Sequence, residues 1–160
     1  MRKVFAALVT LLMLAVVVQF MLAASGAFDT APKDESFQPH RALGYGILIL
    51  AVLLTLVCAL ARMPGRLIGM TGLVAGLSFL QGVIRAVAGA FDETGGGTTV
   101  TGELVFGLHA VNGLIIMALA VRILRQAREL ASSRAAAPRP EAGEDTDASG
   151  SLAGTDHPAS

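Results

Sequence analysis

The chain has 160 residues, of which 54% are hydrophobic and only 15% are charged, and its formal net charge is zero. Soluble domains carry roughly 25% charged residues, so this composition argues against an ordinary soluble domain. The absence of net positive charge removes the bulk electrostatic basis for binding nucleic acid. A single cysteine, Cys58, excludes an intrachain disulfide and a cysteine-based metal cluster.

Four apolar runs follow one another along the chain, at residues 4–24, 42–61, 67–91 and 104–121. Each is close to the ~20 residues that a helix needs to cross the hydrocarbon core of a bilayer. The first run also resembles a signal peptide, but it is longer than the apolar core of such signals, so we interpret it as a retained helix. The predicted fold class is all-α, an integral membrane four-helix bundle with antiparallel up-down topology.

Basic residues predict the orientation of the bundle. Nine Lys and Arg side chains lie on one side of the four runs, and two, Lys33 and Arg41, lie on the other. Because Lys and Arg are enriched in cytoplasmic loops, we expect a multi-pass plasma membrane protein with both termini in the cytoplasm. The loops at residues 25–40 and 92–103 would face outward, and the second has no sequence feature that predicts a fold.

The end of the chain differs in composition from the bundle. The fourth helix is expected to continue past the membrane as VRILRQARELA, which completes a transmembrane domain at residues 1–131. Residues 132–160 contain almost no large apolar side chains and are predicted to form a disordered cytoplasmic tail. No repeat at solenoid periods is evident, and Walker, Rossmann, zinc and GxSxG motifs are absent. The chain is therefore not predicted to be an enzyme, and no catalytic residue is assigned.

The polar residues of the four runs share one depth, counted at ~1.5 Å per helical residue. Those of the outer half are Gln19, His40, Gln81, Arg85, His109 and Asn112. Those of the inner half are Thr10, Thr55 and Cys58, and none of them is charged. The outer residues of the third run share one helical stripe with Ser78, and those of the fourth share another with Ile116. Because polar groups are costly in lipid, both stripes are predicted to face the bundle interior.

Each of these residues also has a structural interpretation. Gln19 and Asn112 are typical of hydrogen bonds between membrane helices, and Arg85 is long enough to reach the headgroups. His40 could be an ordinary interfacial residue, whereas His109 lies too deep for its short side chain to reach water, which favours a functional role. The glycines of the third run are predicted to allow close helix approach; they are Gly69, Gly72 and Gly76.

Two neutral imidazoles on the second and fourth helices could meet across the bundle core, where cofactor sites are commonly built. Imidazole is an axial ligand of haem iron, so His40 and His109 are the predicted metal ligands of a b-type haem. Arg41 and Arg85 lie at the level where cations would meet the propionates. Gln81 and Asn112 are candidates to hydrogen-bond the second nitrogen of His109. Zinc is disfavoured because no Cys, Asp or Glu lies at ligand spacing near His109.

A family resemblance rests on PHRALGYGILIL, followed about seventy residues later by GLHAVNGLIIM. This pattern, over about residues 39–122, resembles one four-helix half of the haem A synthase family, in which paired histidines on the second and fourth helices bind haem. The resemblance implies that His40 and His109 are axial ligands and that Arg41 matches the residue often found after the first of them. The chain departs from that family in having four helices instead of eight. It also has Phe37 at the position of the catalytic glutamate, so the resemblance implies haem binding and leaves the oxidation chemistry unsupported. The chain also resembles four-helix membrane proteins of actinobacteria whose function is not established.

Three functions are compatible with these features. The first is a membrane protein that binds haem for electron transfer or haem handling, with a membrane redox partner or as a homo-oligomer. The alternative is a structural or accessory protein whose polar cluster only joins the helices. A third is a carrier in which Arg85 and His109 face an anionic substrate, and this would require a dimer because carriers usually have more helices.

Overall fold

The computed structural model describes residues 2–91 and 99–132. These residues are almost entirely helical and contain no strand. The helices are α1 (Arg2–Phe28), α2 (Lys33–Ser36), α3 (Gln38–Leu60), α4 (Gly65–Gly89) and α5 (Val100–Ser132). The four long helices coincide with the four apolar runs, and each is long and apolar enough to cross a membrane. The predicted all-α fold with four candidate membrane spans is confirmed.

The four long helices form a square in cross-section. α1 and α4 each pack against both α3 and α5, whereas the backbones of α1 and α4, and those of α3 and α5, do not come close to each other. Every pair of neighbours is therefore antiparallel, and the two diagonal pairs are parallel. This places the starts of α3 and α5 at the same end of the bundle, on opposite corners.

We divide the bundle into two halves. The histidine half consists of residues 17–28, 38–48, 77–89 and 100–114. The terminal half consists of residues 2–16, 49–60, 65–76 and 115–132. The two halves have the same helices but different polar side chains, and this difference determines where a site can form.

The core of the bundle is a continuous column of apolar side chains. On α1 it contains Phe5, Val9, Leu12 and Val16, which recur at helical spacing and are at most 3% exposed. Cys58 is completely buried in the same core, as predicted for a small apolar side chain. Large apolar side chains also cover the outer surface, for example Leu11, Leu14, Ile49, Leu73, Phe79 and Leu114. An apolar exterior of this extent suits a lipid environment.

The turn between α3 and α4 is closed by backbone hydrogen bonds. The N–H of Met63 donates to the carbonyl of Cys58, and the N–H of Arg62 donates to that of Ala59, which is the hydrogen-bond pattern of a Schellman C-cap. Arg62 has a φ of 48°, in the left-handed region usually taken by glycine. Pro64 then stands immediately before the first turn of α4, so the predicted break at Pro64–Gly65 is confirmed.

The long helices begin earlier than the apolar runs. α5 starts at Val100 because Thr99 caps it: the hydroxyl of Thr99 accepts the N–H of Gly102 at 3.2 Å. The prediction of an irregular loop is therefore wrong for the segment Val100–Glu103, and residues 92–98 lie outside the described part. At its other end α5 continues through the predicted segment VRILRQARELA and includes Ser132, which was predicted to begin the tail. The rest of the predicted tail, residues 133–160, lies outside the described residues.

The glycines of α4 do not form the predicted contact surface. A Cβ atom on Gly72 would lie 3.7 Å from Cγ2 of Thr55, which is an ordinary contact with α3. A Cβ atom on Gly69 or Gly76 would meet nothing within 4 Å. These two glycines lie on the outer face of α4, so of the three only Gly72 faces a neighbouring helix.

Candidate cofactor site

His40 lies in the first turn of α3 and is held by Gln19 of α1. Its Nδ1 atom is 3.0 Å from the backbone carbonyl oxygen of Gln19; because a carbonyl only accepts, Nδ1 carries the proton. The side-chain Nε2 of Gln19 lies 3.2 Å from Nε2 of His40 and 2.8 Å from the backbone oxygen of the same histidine. The amide thus donates one N–H to the imidazole lone pair and the other to the backbone.

His109 lies nine residues into α5 and is held in a related way by Gln81 of α4. Its Nδ1 atom is 3.3 Å from the backbone carbonyl oxygen of Gln81, which again assigns the proton to Nδ1. The Nε2 atom of His109 therefore carries a lone pair. Within residues 2–91 and 99–132 no donor lies at hydrogen-bond distance from that lone pair, so it remains available to a ligand.

The two imidazoles lie close to each other inside the histidine half. Their ring centroids are 6.1 Å apart and their planes are inclined by 47°. Phe106 stacks on His109 with a centroid distance of 5.3 Å, and Phe37 meets His40 edge-on at 6.1 Å. The diagonal helices α3 and α5 therefore approach each other through these side chains, although their backbones do not touch.

Three polar atoms near the histidines are buried without a partner in the described part of the chain. They are Oε1 of Gln19, Oγ of Ser78 and Oε1 of Gln81. Asn112, one turn deeper than His109, is only 6% exposed and donates to the backbone oxygen of Leu77 at 2.9 Å. An unsatisfied buried acceptor costs ~1–3 kcal/mol. This level of the bundle therefore contains polar atoms that can still form hydrogen bonds with a bound group.

The two arginines predicted for the site are placed differently. Arg41 turns away to α2, where its guanidinium bonds the backbone oxygen of Asp34 and pairs with the Asp34 carboxylate at 3.4 Å. Arg85 is exposed, so the prediction that its whole stripe faces the interior is wrong for this residue. Its long side chain lets the guanidinium extend away from the helix.

The site therefore brings together some of the predicted residues and adds others. His40, His109 and Gln81 converge, Asn112 joins α5 to α4 below them, Arg85 lies at the rim, and Arg41 is engaged elsewhere. Gln19 was predicted only as a link between helices, yet it bonds the Nε2 atom of His40; its depth in the first run was the available signal. Phe37 and Phe106 were not predicted, although both stand three residues before a histidine.

The donor set restricts the chemistry. Within the described ranges, no three His, Cys, Asp or Glu side chains are grouped to hold a metal ion. Two imidazoles alone suit a metal whose remaining ligands come from elsewhere, as in a porphyrin. In the part of the chain that the structure describes, no Ser or Cys lies beside a base that would activate it for covalent catalysis. The polar groups of the site can bind, orient and accept hydrogen bonds.

Comparison with known proteins gives one match. No curated protein and no solved structure matches the chain, and none of the comparisons connects it with haem A synthase. Residues 19–88, a segment that begins at Gln19 and includes His40, Gln81 and Arg85 but not His109, match the model of a family of unknown function, DUF6220.

Proposed function

We propose that the chain is a plasma membrane protein that holds a b-type haem between His40 and His109, for electron transfer or haem handling beside a membrane redox partner. The observation that carries the proposal is the 6.1 Å separation of the two ring centroids. Two imidazoles on opposite faces of one metal, each with a metal–nitrogen bond of ~2 Å, have centroids roughly 6 Å apart.

The surroundings of the rings support this occupant. Each Nδ1–H is fixed by a backbone carbonyl, which leaves Nε2 as the ligand atom and supplies the support that metal-bound histidines usually have. Phe37 and Phe106 offer aromatic surface next to the rings. Arg85 supplies a cation at the rim for a propionate, whereas Arg41 must first leave Asp34 to do the same.

A hydrogen bond from Gln19 stands in the way of haem binding at His40. The lone pair of His40 Nε2 already accepts an N–H from Gln19, so this amide has to turn away before the nitrogen can bind a metal. The bound haem would contribute a redox-active iron, and the protein would contribute two ligands and a position within the membrane.

The visible spectrum of the purified protein tests the proposal. Wild-type protein expressed with ample haem should show a six-coordinate low-spin spectrum. His109→Ala should abolish it, and His40→Ala should convert it to a five-coordinate form. His157→Ala, which changes the third histidine of the chain, is the matched control and should leave the spectrum unchanged. A colourless wild-type protein would refute the proposal.

The proposed orientation has both termini in the cytoplasm, from the nine-to-two distribution of Lys and Arg. In a Cys58→Ala background, Gly95→Cys should react with an impermeant thiol reagent added to intact cells. Asp145→Cys should react only after the membrane is permeabilised. Labelling of position 145 in intact cells would show that the proposed orientation is wrong.

The second candidate is a structural or accessory protein, and a separate observation favours it. Both nitrogens of His40 are engaged by Gln19, and Asn112 is engaged by Leu77, which is what polar side chains do when they only join helices. In that case the protein remains colourless in every form, while Gln19→Leu and Asn112→Leu each lower its stability.

A further inference from the structure

The two helical hairpins of the bundle, α1–α3 and α4–α5, carry a glutamine and a histidine in corresponding positions. Each has a glutamine on its first helix and a histidine on its second. In each, Nδ1 of the histidine donates to the backbone oxygen of that glutamine. The hydrogen bond links residues 19 and 40 in one hairpin and residues 81 and 109 in the other.

The second helices of the hairpins correspond around the histidine and at the buried positions beyond it. A phenylalanine in ring contact stands three residues before each histidine, and a glycine stands four residues after it. A Cβ atom on Gly44 would lie 3.2 Å from Nε2 of Gln19, and one on Gly113 would lie 3.4 Å from Nε2 of Gln81. At 7, 11, 14 and 18 residues beyond the histidine, both helices are buried: Ile47, Ala51, Leu54 and Cys58 on α3; Ile116, Ala120, Ile123 and Ala127 on α5.

The first helices agree in the same way. At 14, 10 and 7 residues before the glutamine, both are buried: Phe5, Val9 and Leu12 on α1; Leu67, Thr71 and Val74 on α4. Three residues before it stand the buried Val16 and the buried hydroxyl of Ser78, and seven residues after it stand the buried Gly26 and Ala88. Core helices share such spacings in general, but not the same histidine–carbonyl bond and the same glycine against the same amide.

The two equivalent glutamines nevertheless behave differently. Nε2 of Gln19 lies on Nε2 of His40. The Gln81 amide makes no hydrogen bond to His109, although it lies against the equivalent glycine. One histidine therefore has an occupied lone pair and its counterpart has a free one.

We infer that the site consists of two copies of one hairpin, in which the Nε2 lone pair of His109 is free and that of His40 is occupied. The Gln19 amide then competes with a metal for the His40 nitrogen. The inference rests on the proposed function, because it assigns the order in which the two histidines bind the same iron. His109 binds first, and His40 binds after Gln19 has turned away. The amide oxygen of Gln19 has no partner among residues 2–91 and 99–132, so leaving this position costs the side chain only its two N–H bonds.

Replacing the Gln19 side chain separates two roles of this residue: its amide occupies Nε2 of His40, and its backbone oxygen orients the ring. The bond that orients His40 goes to the backbone oxygen of residue 19, so it survives any change of that side chain. Gln19→Leu removes the amide that occupies the lone pair, together with its bond to the His40 backbone oxygen. Because the metal no longer has to displace these two hydrogen bonds, haem binding should be about tenfold stronger.

The experiment is a titration of the full-length, haem-free protein in detergent micelles with hemin, followed by the visible spectrum. We expect Gln19→Leu to bind about tenfold more tightly than wild type and to reach the six-coordinate form faster. The control variant Gln126→Leu, which changes a glutamine of the terminal half, should change the affinity less than about twofold. Equal effects of the two variants, or weaker binding by Gln19→Leu, would overturn the inference and leave haem binding itself intact. If Gln19→Leu does not fold, Gln19→Met has the same expected outcome.

A second measurement makes the outcome independent of haem. The ¹⁵N chemical shifts of the imidazoles in the haem-free protein report hydrogen bonds to each Nε2. Gln19→Leu should move the Nε2 shift of His40 and not that of His109. If no variant binds hemin, the proposed function fails and the inferred binding order fails with it. If the Nε2 shift of His40 does not change, the Gln19 amide does not occupy that lone pair, and the inference is wrong whether or not hemin binds.

Discussion

The polar side chains in the two halves of the bundle are satisfied in different ways. In the terminal half, the hydroxyls of Thr10, Thr55 and Thr71 donate to a carbonyl one turn earlier in their own helix, at 2.9, 2.8 and 3.0 Å. In the histidine half, the side chains reach carbonyls or nitrogens of a neighbouring helix; they are Gln19, His40, His109 and Asn112.

A hydrogen bond within one helix forms wherever that helix forms, so it does not depend on how the helices assemble. A hydrogen bond between helices requires the correct rotation and depth of both partners. The terminal half is thus held by the fit of apolar side chains, and the histidine half by polar geometry. This contrast predicts that stability depends mainly on the first and that a bound group depends on the second.

The largest expected effect is a cavity in the terminal half. Leu54 is completely buried, whereas its neighbour Leu53 is 51% exposed on the outer face. Leu54→Ala should lower the free energy of unfolding by ~2–5 kcal/mol, measured by SDS titration in mixed micelles. Leu53→Ala should cost much less, and equal losses would show that the terminal half is not held by packing.

A close backbone contact gives the next effect. A Cβ atom on Gly26 would lie 2.9 Å from the backbone oxygen of Ser36 and 3.3 Å from the Phe37 ring. Gly26→Ala should therefore cost ~1–3 kcal/mol through overpacking. Gly76→Ala, at a position where a Cβ atom meets nothing within 4 Å, is the control and should be neutral in the same titration.

A smaller loss is expected from a bond between helices. Asn112→Leu removes the hydrogen bond to Leu77 while keeping the side-chain volume, and should cost ~0.6–2 kcal/mol. Val111→Ala changes a neighbouring side chain that is 54% exposed and serves as the control. If Asn112→Leu proves stabilising, the polar geometry of the histidine half contributes nothing to assembly.

The smallest effect is expected from a bond within one helix. Thr55→Val keeps the methyl group that faces Gly72 and removes only the hydroxyl that bonds Ala51. The free energy of unfolding should change by less than ~0.5 kcal/mol. A loss as large as that of Asn112→Leu would remove the distinction between the two halves.

The sequence predicts these features unevenly, for physical reasons. Long apolar windows suffice to locate four helices, because backbone in lipid has few alternatives. The start of α5 was missed because a single hydroxyl, that of Thr99, caps it within a polar segment. Depth along a helix follows from counting residues, which is why the shared level of His40, Gln81 and His109 was predictable.

Rotation and partner choice do not follow from counting. The exposed position of Arg85 and the pairing of Arg41 with Asp34 depend on how the helices pack and on the one-turn helix α2. The correspondence of the two hairpins could not be recognised from the sequence either. The two glutamines are 62 residues apart and the two histidines 69, so no single period relates the copies.

The length of α5 fixes how deep the histidines lie. Exposed Arg122, Arg125 and Arg128 follow its apolar segment, and their charges keep that end of the helix at a membrane surface. His109 lies thirteen residues before Arg122, which is ~20 Å along the axis. In a hydrocarbon core of ~30 Å, the imidazoles are then only ~10 Å from the opposite surface, so a small molecule or an electron reaches them by the shortest path from that side.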